Sequence, residues 1–89
     1  MKNKERMLPC PCCGNYTVKY DILIVDICPV CFWQYDIVAQ EHPDIAIGPN
    51  HGLSLNLARE NYKCFGAINR EHIQHVRKPL PEEMPENNR

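Results

Sequence analysis

Two Cys-x-x-Cys hooks, a β-branched and aromatic stretch between them, and a capped amphipathic helix after them predict a small α+β fold for this 89-residue chain. The first hook is Pro9-Cys10-Pro11-Cys12-Cys13-Gly14 and the second is Cys28-Pro29-Val30-Cys31. Two residues between cysteines let one tight turn aim both thiolates at a single ion, and four such ligands complete a tetrahedral zinc site. The proline after the first cysteine of each hook fixes φ near −65°, and Gly14 supplies the positive φ with which such a turn ends. Phe32 stands at the matching position of the second hook. Residues 14–27 separate the hooks, enough for a short hairpin and too few for a helix with two returns. This is the spacing of a zinc-ribbon (rubredoxin-like) β-hairpin module, with Cys10, Cys13, Cys28 and Cys31 as the metal ligands. Iron is the alternative to Zn2+, because four thiolates also suit a rubredoxin-type centre.

Six cysteines for four ligand places leave Cys12 and Cys64 over. Pairing Cys12 with Cys10 would require a one-residue spacing that strains the chelate turn, so Cys12 reads as a spare, partly exposed thiol. Cys64 lies in a helical pattern and reads as a small buried apolar residue. A disulfide framework is the competing use of these cysteines. The knuckle spacing, the lack of an apolar signal segment and the charged start Met1-Lys2-Asn3-Lys4-Glu5-Arg6 favour reduced thiols and a cytoplasmic location.

The elements follow in order. Residues 1–8 read as a flexible arm. Residues 9–78 form one domain, divided into a ribbon part at 9–40 and a loop and helical part at 41–78. Within the ribbon, residues 16–20 and 22–27 read as two antiparallel strands, the second delivering Cys28. Phe32, Trp33 and Tyr35 then supply three aromatics in four residues, which cover the metal site and close a small core. Residues 36–40 suit either a third strand or a turn of helix. Glu41-His42-Pro43-Asp44 and Gly48-Pro49-Asn50-His51-Gly52 are loop chemistry, and the apolar run Ile45-Ala46-Ile47 between them is expected to dock the loop. Ser54 is a good helix N-cap. Leu55, Ala58, Tyr62 and Phe65 recur at spacings that share one helical face, and Gly66 ends the helix. A second short helical turn begins at Asn69, with Ile73 and Val76 inward. Pro79, Pro81 and Pro85 with the acidic residues around them predict a disordered tail over 79–89.

Formal charge is −1, yet no Lys or Arg occurs from Tyr20 through Ala58, where Asp21, Asp26, Asp36, Glu41 and Asp44 fall. Cations return as Arg59, Lys63, Arg70, Arg77 and Lys78. Nucleic-acid binding needs clustered cations to displace counterions from phosphates, so the ribbon argues against a nucleic-acid partner. No stretch approaches the roughly eighteen apolar residues that cross a bilayer, and no membrane partner is expected.

With these features in place, the chain resembles a bacterial family named for its cysteine-rich CPCC motif. The resemblance rests on residues 9–14, on Ile27-Cys28-Pro29-Val30-Cys31-Phe32-Trp33, on Gly48-Pro49-Asn50-His51-Gly52-Leu53-Ser54-Leu55 with Ala58-Arg59-Glu60-Asn61-Tyr62 and Phe65-Gly66-Ala67, and on Val76-Arg77-Lys78-Pro79-Leu80. It implies a small zinc-ribbon-like protein. Some relatives resemble neighbours of secreted toxins, which implies an immunity protein that neutralises a cognate toxin domain.

Three functions follow. The first is a non-enzymatic interaction protein with structural zinc, its cation-free span facing a basic toxin groove. The second is a nucleic-acid-binding ribbon. The third is a metal-dependent hydrolase or nuclease drawing on His42, His51, His72 and His75, with His72 and His75 spaced to share one helical face. Four thiolates leave no open position for a water, so the ribbon metal cannot run hydrolysis, and no catalytic residue is assigned.

Overall fold

The computed structural model describes residues 7–19, 26–46, 48–50 and 52–88. A two-stranded antiparallel sheet pairs β1 (Met7–Pro9) with β2 (Tyr16–Lys19), Leu8 opposite Val18. The first knuckle is the turn of this hairpin. Cys10 N–H donates to the Asn15 carbonyl at 2.8 Å and Gly14 N–H to the Cys10 carbonyl at 2.8 Å. The second knuckle repeats the device: Cys28 N–H donates to the Trp33 carbonyl at 2.9 Å and Phe32 N–H to the Cys28 carbonyl at 2.8 Å. An isolated bridge, Ile27 to Gln34, flanks it. Gly14 and Phe32 both lie in the left-handed region, at φ 82° and 78°.

This pairing corrects one expectation. Strand β2 pairs with β1 across the knuckle, because the Cys-x-x-Cys turn folds the chain back on itself. The end of the expected arm, Met7 and Leu8, is therefore strand. Residues 1–6 and 20–25 lie outside the described residues, and with the latter go residues 22–25 of the expected second strand. Next to that segment, Lys19 N–H donates to Asp26 Oδ2 at 3.2 Å.

Residues 36–40, open between strand and helix, begin α1 (Ile37–Glu41), whose N-cap Asp36 accepts from Val38 N–H. Helix α2 (Leu55–Phe65) runs from Ser54, whose Oγ accepts from Leu57 N–H at 3.1 Å, to Gly66 at φ 80°. Its inner face is Leu55 and Ala58, both fully buried, with Tyr62 packed against the core. Trp33, Leu55, Ile68, Val18 and Val30 are the largest fully buried side chains besides cysteines.

The turn expected from Asn69 is a 3-10 helix, Arg70–His75, capped by the Asn69 side chain. Ile73 is exposed rather than inward, since the tighter 3-10 winding shifts its phase away from the core. Residues 79–89 were the expected disordered tail; instead Pro81–Glu83 and Pro85–Asn87 form two 3-10 turns. Prolines suit the first position of such turns, and Glu83 fastens the first by a bidentate ion pair with Arg77 at 2.8 Å. The expected docking run fails as well. Ile45 and Ala46 are exposed, and Ile47 lies outside the described residues. No helix is long and apolar enough to cross a membrane, among the described residues.

Candidate metal centre

The knuckles face each other, and Cys10, Cys13, Cys28 and Cys31 converge from them. Their four Sγ atoms all lie within 4.8 Å of one another. Cys10 and Cys31 are 3.6 Å apart, and Cys13 and Cys28 are 3.8 Å apart. A tetrahedron with metal–sulfur bonds of 2.3 Å has edges of about 3.8 Å, so the cavity between these sulfurs has the size of one thiolate-bound ion. Among the described residues, no other group of three or more His, Cys, Asp or Glu side chains is placed to share an ion.

Charge in the cluster is divided between the thiols. Hydrogen bonding with Cys10 holds Cys28 far below the usual thiol range and lowers Cys13 as well. The reciprocal bonds, with Cys13 for Cys10 and with Cys10 for Cys31, push the other two far up. A dication held by these four sulfurs would displace the protons that remain on them. Two further donors fix Cys28: Thr17 Oγ1 at 3.0 Å and Val30 N–H at 3.4 Å. Such donors orient a ligand sulfur and disperse its charge.

Helix α2 braces the first knuckle, and the chain after it braces the second. Arg59 Nε donates to the Pro11 carbonyl of the first at 2.9 Å. Beyond the helix, Ile68 N–H donates to the Cys31 carbonyl at 2.9 Å and Arg77 N–H to the Pro29 carbonyl of the second at 3.1 Å. Asn61 Nδ2 donates to the Ile68 carbonyl at 2.8 Å and holds that return. Burial first, then the nearby charge of Cys13, raises the Tyr62 hydroxyl above its ordinary range.

Cys12 is buried, not partly exposed, and belongs to the core cluster. The braced knuckle turns it inward between the ligand positions. Cys64, expected buried, is exposed on α2. All six cysteines are free of disulfides.

The histidines separate into three places. His42 is exposed at the end of α1, and His51 lies outside the described residues. His72 and His75 do come together, rings 5.7 Å apart, but they stack on Phe32 at 4.3 and 5.5 Å. His72 Nδ1 also lies 2.6 Å from Asn69 Oδ1. These rings cover the second knuckle.

Sequence reasoning missed two anchoring residues. Thr17 was legible as strand, but its side-chain direction depends on a pairing the sequence did not reveal. Asn50 read as a turn residue; it is buried, and its side chain works as a strand edge. Its Oδ1 accepts from Gln34 N–H at 2.7 Å and its Nδ2 donates to the Gln34 carbonyl at 3.0 Å. The loop closes again where Gly48 packs against the Asp36 carboxylate, at a φ of 113° that strains any residue with a Cβ.

The sequence matches the family described as Cysteine-rich CPCC over residues 8–83. No curated protein matches, and no solved structure does.

Proposed function

This chain belongs to the cysteine-rich CPCC family, and we propose that it is a non-enzymatic, zinc-ribbon-like protein that acts by binding another protein. Within that reading it is a cytoplasmic immunity protein that neutralises a cognate toxin domain. The observation that carries the proposal is the closed four-thiol cluster, braced by α2 and hydrogen-bonded at Cys28. Four sulfurs complete the coordination of a zinc ion and leave no place for a reacting water, so the metal's contribution is rigidity. A reduced compartment suits six free thiols. The absence of Lys and Arg from residues 20–58 supports a basic partner and opposes a nucleic-acid one.

Purified chain is expected to be colourless with one zinc per molecule, and the visible absorption of a ferric thiolate centre would replace zinc by iron. Co-expression with a toxin domain encoded beside its gene is expected to protect cells and yield a stable complex. Absence of both protection and complex overturns the immunity reading. Low-salt binding to DNA or RNA that weakens steeply with added salt would favour the nucleic-acid ribbon instead.

A further inference from the structure

We infer that α1 and the loop behind it form a docking surface for a basic protein segment, an inference that rests on the reading of this chain as a protein-binding module. Helix α1 has five residues and buries only Ala39. Ile37 and Val38 point outward at 61% and 45% exposure. β-Branched residues are poor helix formers, and here they return no burial within the chain. Glu41 follows Ile37 by four residues and Val38 by three, which puts its carboxylate beside them on the same helical side.

The loop extends this face onto α2. Asn56 N–H donates to the Pro43 carbonyl at 2.9 Å, and Asn56 Nδ2 donates to Asp44 Oδ1 at 2.7 Å. Their sequence neighbours Ile45 and Leu57 are 46% and 48% exposed. Four exposed aliphatic side chains rimmed by Glu41 and Asp44 make an apolar centre with an anionic edge. The nearest following cation, Arg59, is turned to the Pro11 carbonyl and to Asn56 Oδ1. Clustered aliphatic exposure on a soluble-type surface marks an interaction site, and its rim selects the sign of the partner. The occupant is therefore a protein segment with apolar anchors between Lys or Arg residues. Asn50 is tied to the Gln34 backbone, and Gly48 lies against the Asp36 carboxylate that caps α1, which anchors the described ends of this surface.

The test places a photo-cross-linking residue, p-benzoylphenylalanine, at position 37, 45 or 57 of the full chain, or at 63 or 74 as controls, in the cells that make it. Positions 37, 45 and 57 are expected to give an adduct with one identified protein, the controls none, and the attached peptide is expected to be rich in Lys and Arg. Combining Glu41→Lys with Asp44→Lys is expected to lower the yield from position 37 about tenfold, with Trp33 fluorescence unchanged as the check on folding. No adduct, equal adducts from the controls, a non-basic peptide, or an adduct with a second copy of this chain each overturns the surface. An adduct with a basic protein that is no toxin upholds the surface and refutes the immunity reading; a basic toxin domain supports both.

Discussion

Phe32 holds the left-handed position that Gly14 holds in the other knuckle, at φ 78°. A side chain with a Cβ is strained there by about 1–2 kcal/mol. The ring compensates by stacking on His72 and His75 and joining the half-buried fringe of the core. Replacing it separates the two effects. Phe32→Ala keeps the strain and loses the ring, whereas Phe32→Gly loses the ring and relieves the strain. The glycine variant is therefore expected to be more stable than the alanine variant by about 1 kcal/mol in urea unfolding; equal stabilities would mean that the backbone at residue 32 carries no strain. Thr17 offers a second test at this scale. Its hydroxyl is 3.0 Å from Cys28 Sγ, and Thr17→Val keeps the shape while removing that donor. Competition against a chromophoric chelator is expected to show metal binding weakened about tenfold, and unchanged affinity would reduce the contact to packing.

At the scale of elements, a side chain acting as a strand pins the segment between the second knuckle and α2. Asn50 pairs with both backbone groups of Gln34. Asn50→Ala leaves a donor and an acceptor unpaired beside a buried position, at a cost of about 2–4 kcal/mol. Asn50→Asp keeps the bond from Gln34 N–H but sets a carboxylate oxygen against the Gln34 carbonyl, so it is expected to rescue little. Thermal unfolding of the two variants checks this, and an Asp variant as stable as the parent would show that only one of the two bonds matters. Local chemistry made part of this architecture legible in the sequence: Ser54 and Gly66 bound α2 by their own conformations, and the four cysteines are fixed by the reach of a tight turn. Pairing was harder to read. Strand β1 has three residues, one of them Pro9, and its partner lies across the knuckle, so no alternation announces it. Asn50 has the chemistry of a turn residue whichever way its amide points. The exposure of Cys64 did leave a trace, since at 100° per residue it falls about 180° from Leu55 on α2.

Across the described residues, the segment after α2 is tied back by charge, and β1 is held at the first knuckle. Glu83 accepts both arms of the Arg77 guanidinium and also Leu80 N–H at 2.8 Å. Hydrogen bonding from Arg77 lowers the Glu83 carboxyl below its ordinary range. A depressed carboxyl stabilises the folded arrangement above its unfolded value, about pH 4.3. That contribution is lost as pH falls through the lower folded value. Protection of the Leu80 amide from exchange is thus expected to be constant at neutral pH and to fall on acidification, and Glu83→Gln is expected to abolish the pH dependence. A larger dependence belongs to the centre. The core outside the cysteines has few large members, chiefly Trp33, Leu55, Ile68, Val18 and Val30. Val30 sits inside one knuckle, Trp33 directly follows it, and Ile68 is hydrogen-bonded to it through the Cys31 carbonyl. Losing the knuckles therefore releases most of that core. Structural zinc contributes about 10–16 kcal/mol in small peptides, against about 5–15 kcal/mol for the net stability of a domain. Removal of the proposed ion by a strong chelator at neutral pH is expected to shift the emission of Trp33, the one tryptophan, to that of a solvated indole. Near-UV dichroism is expected to vanish with it, and restored zinc to reverse both. Full retention of the Trp33 signal in metal-free protein would mean that hydrogen bonds among four thiols hold the knuckles without an ion.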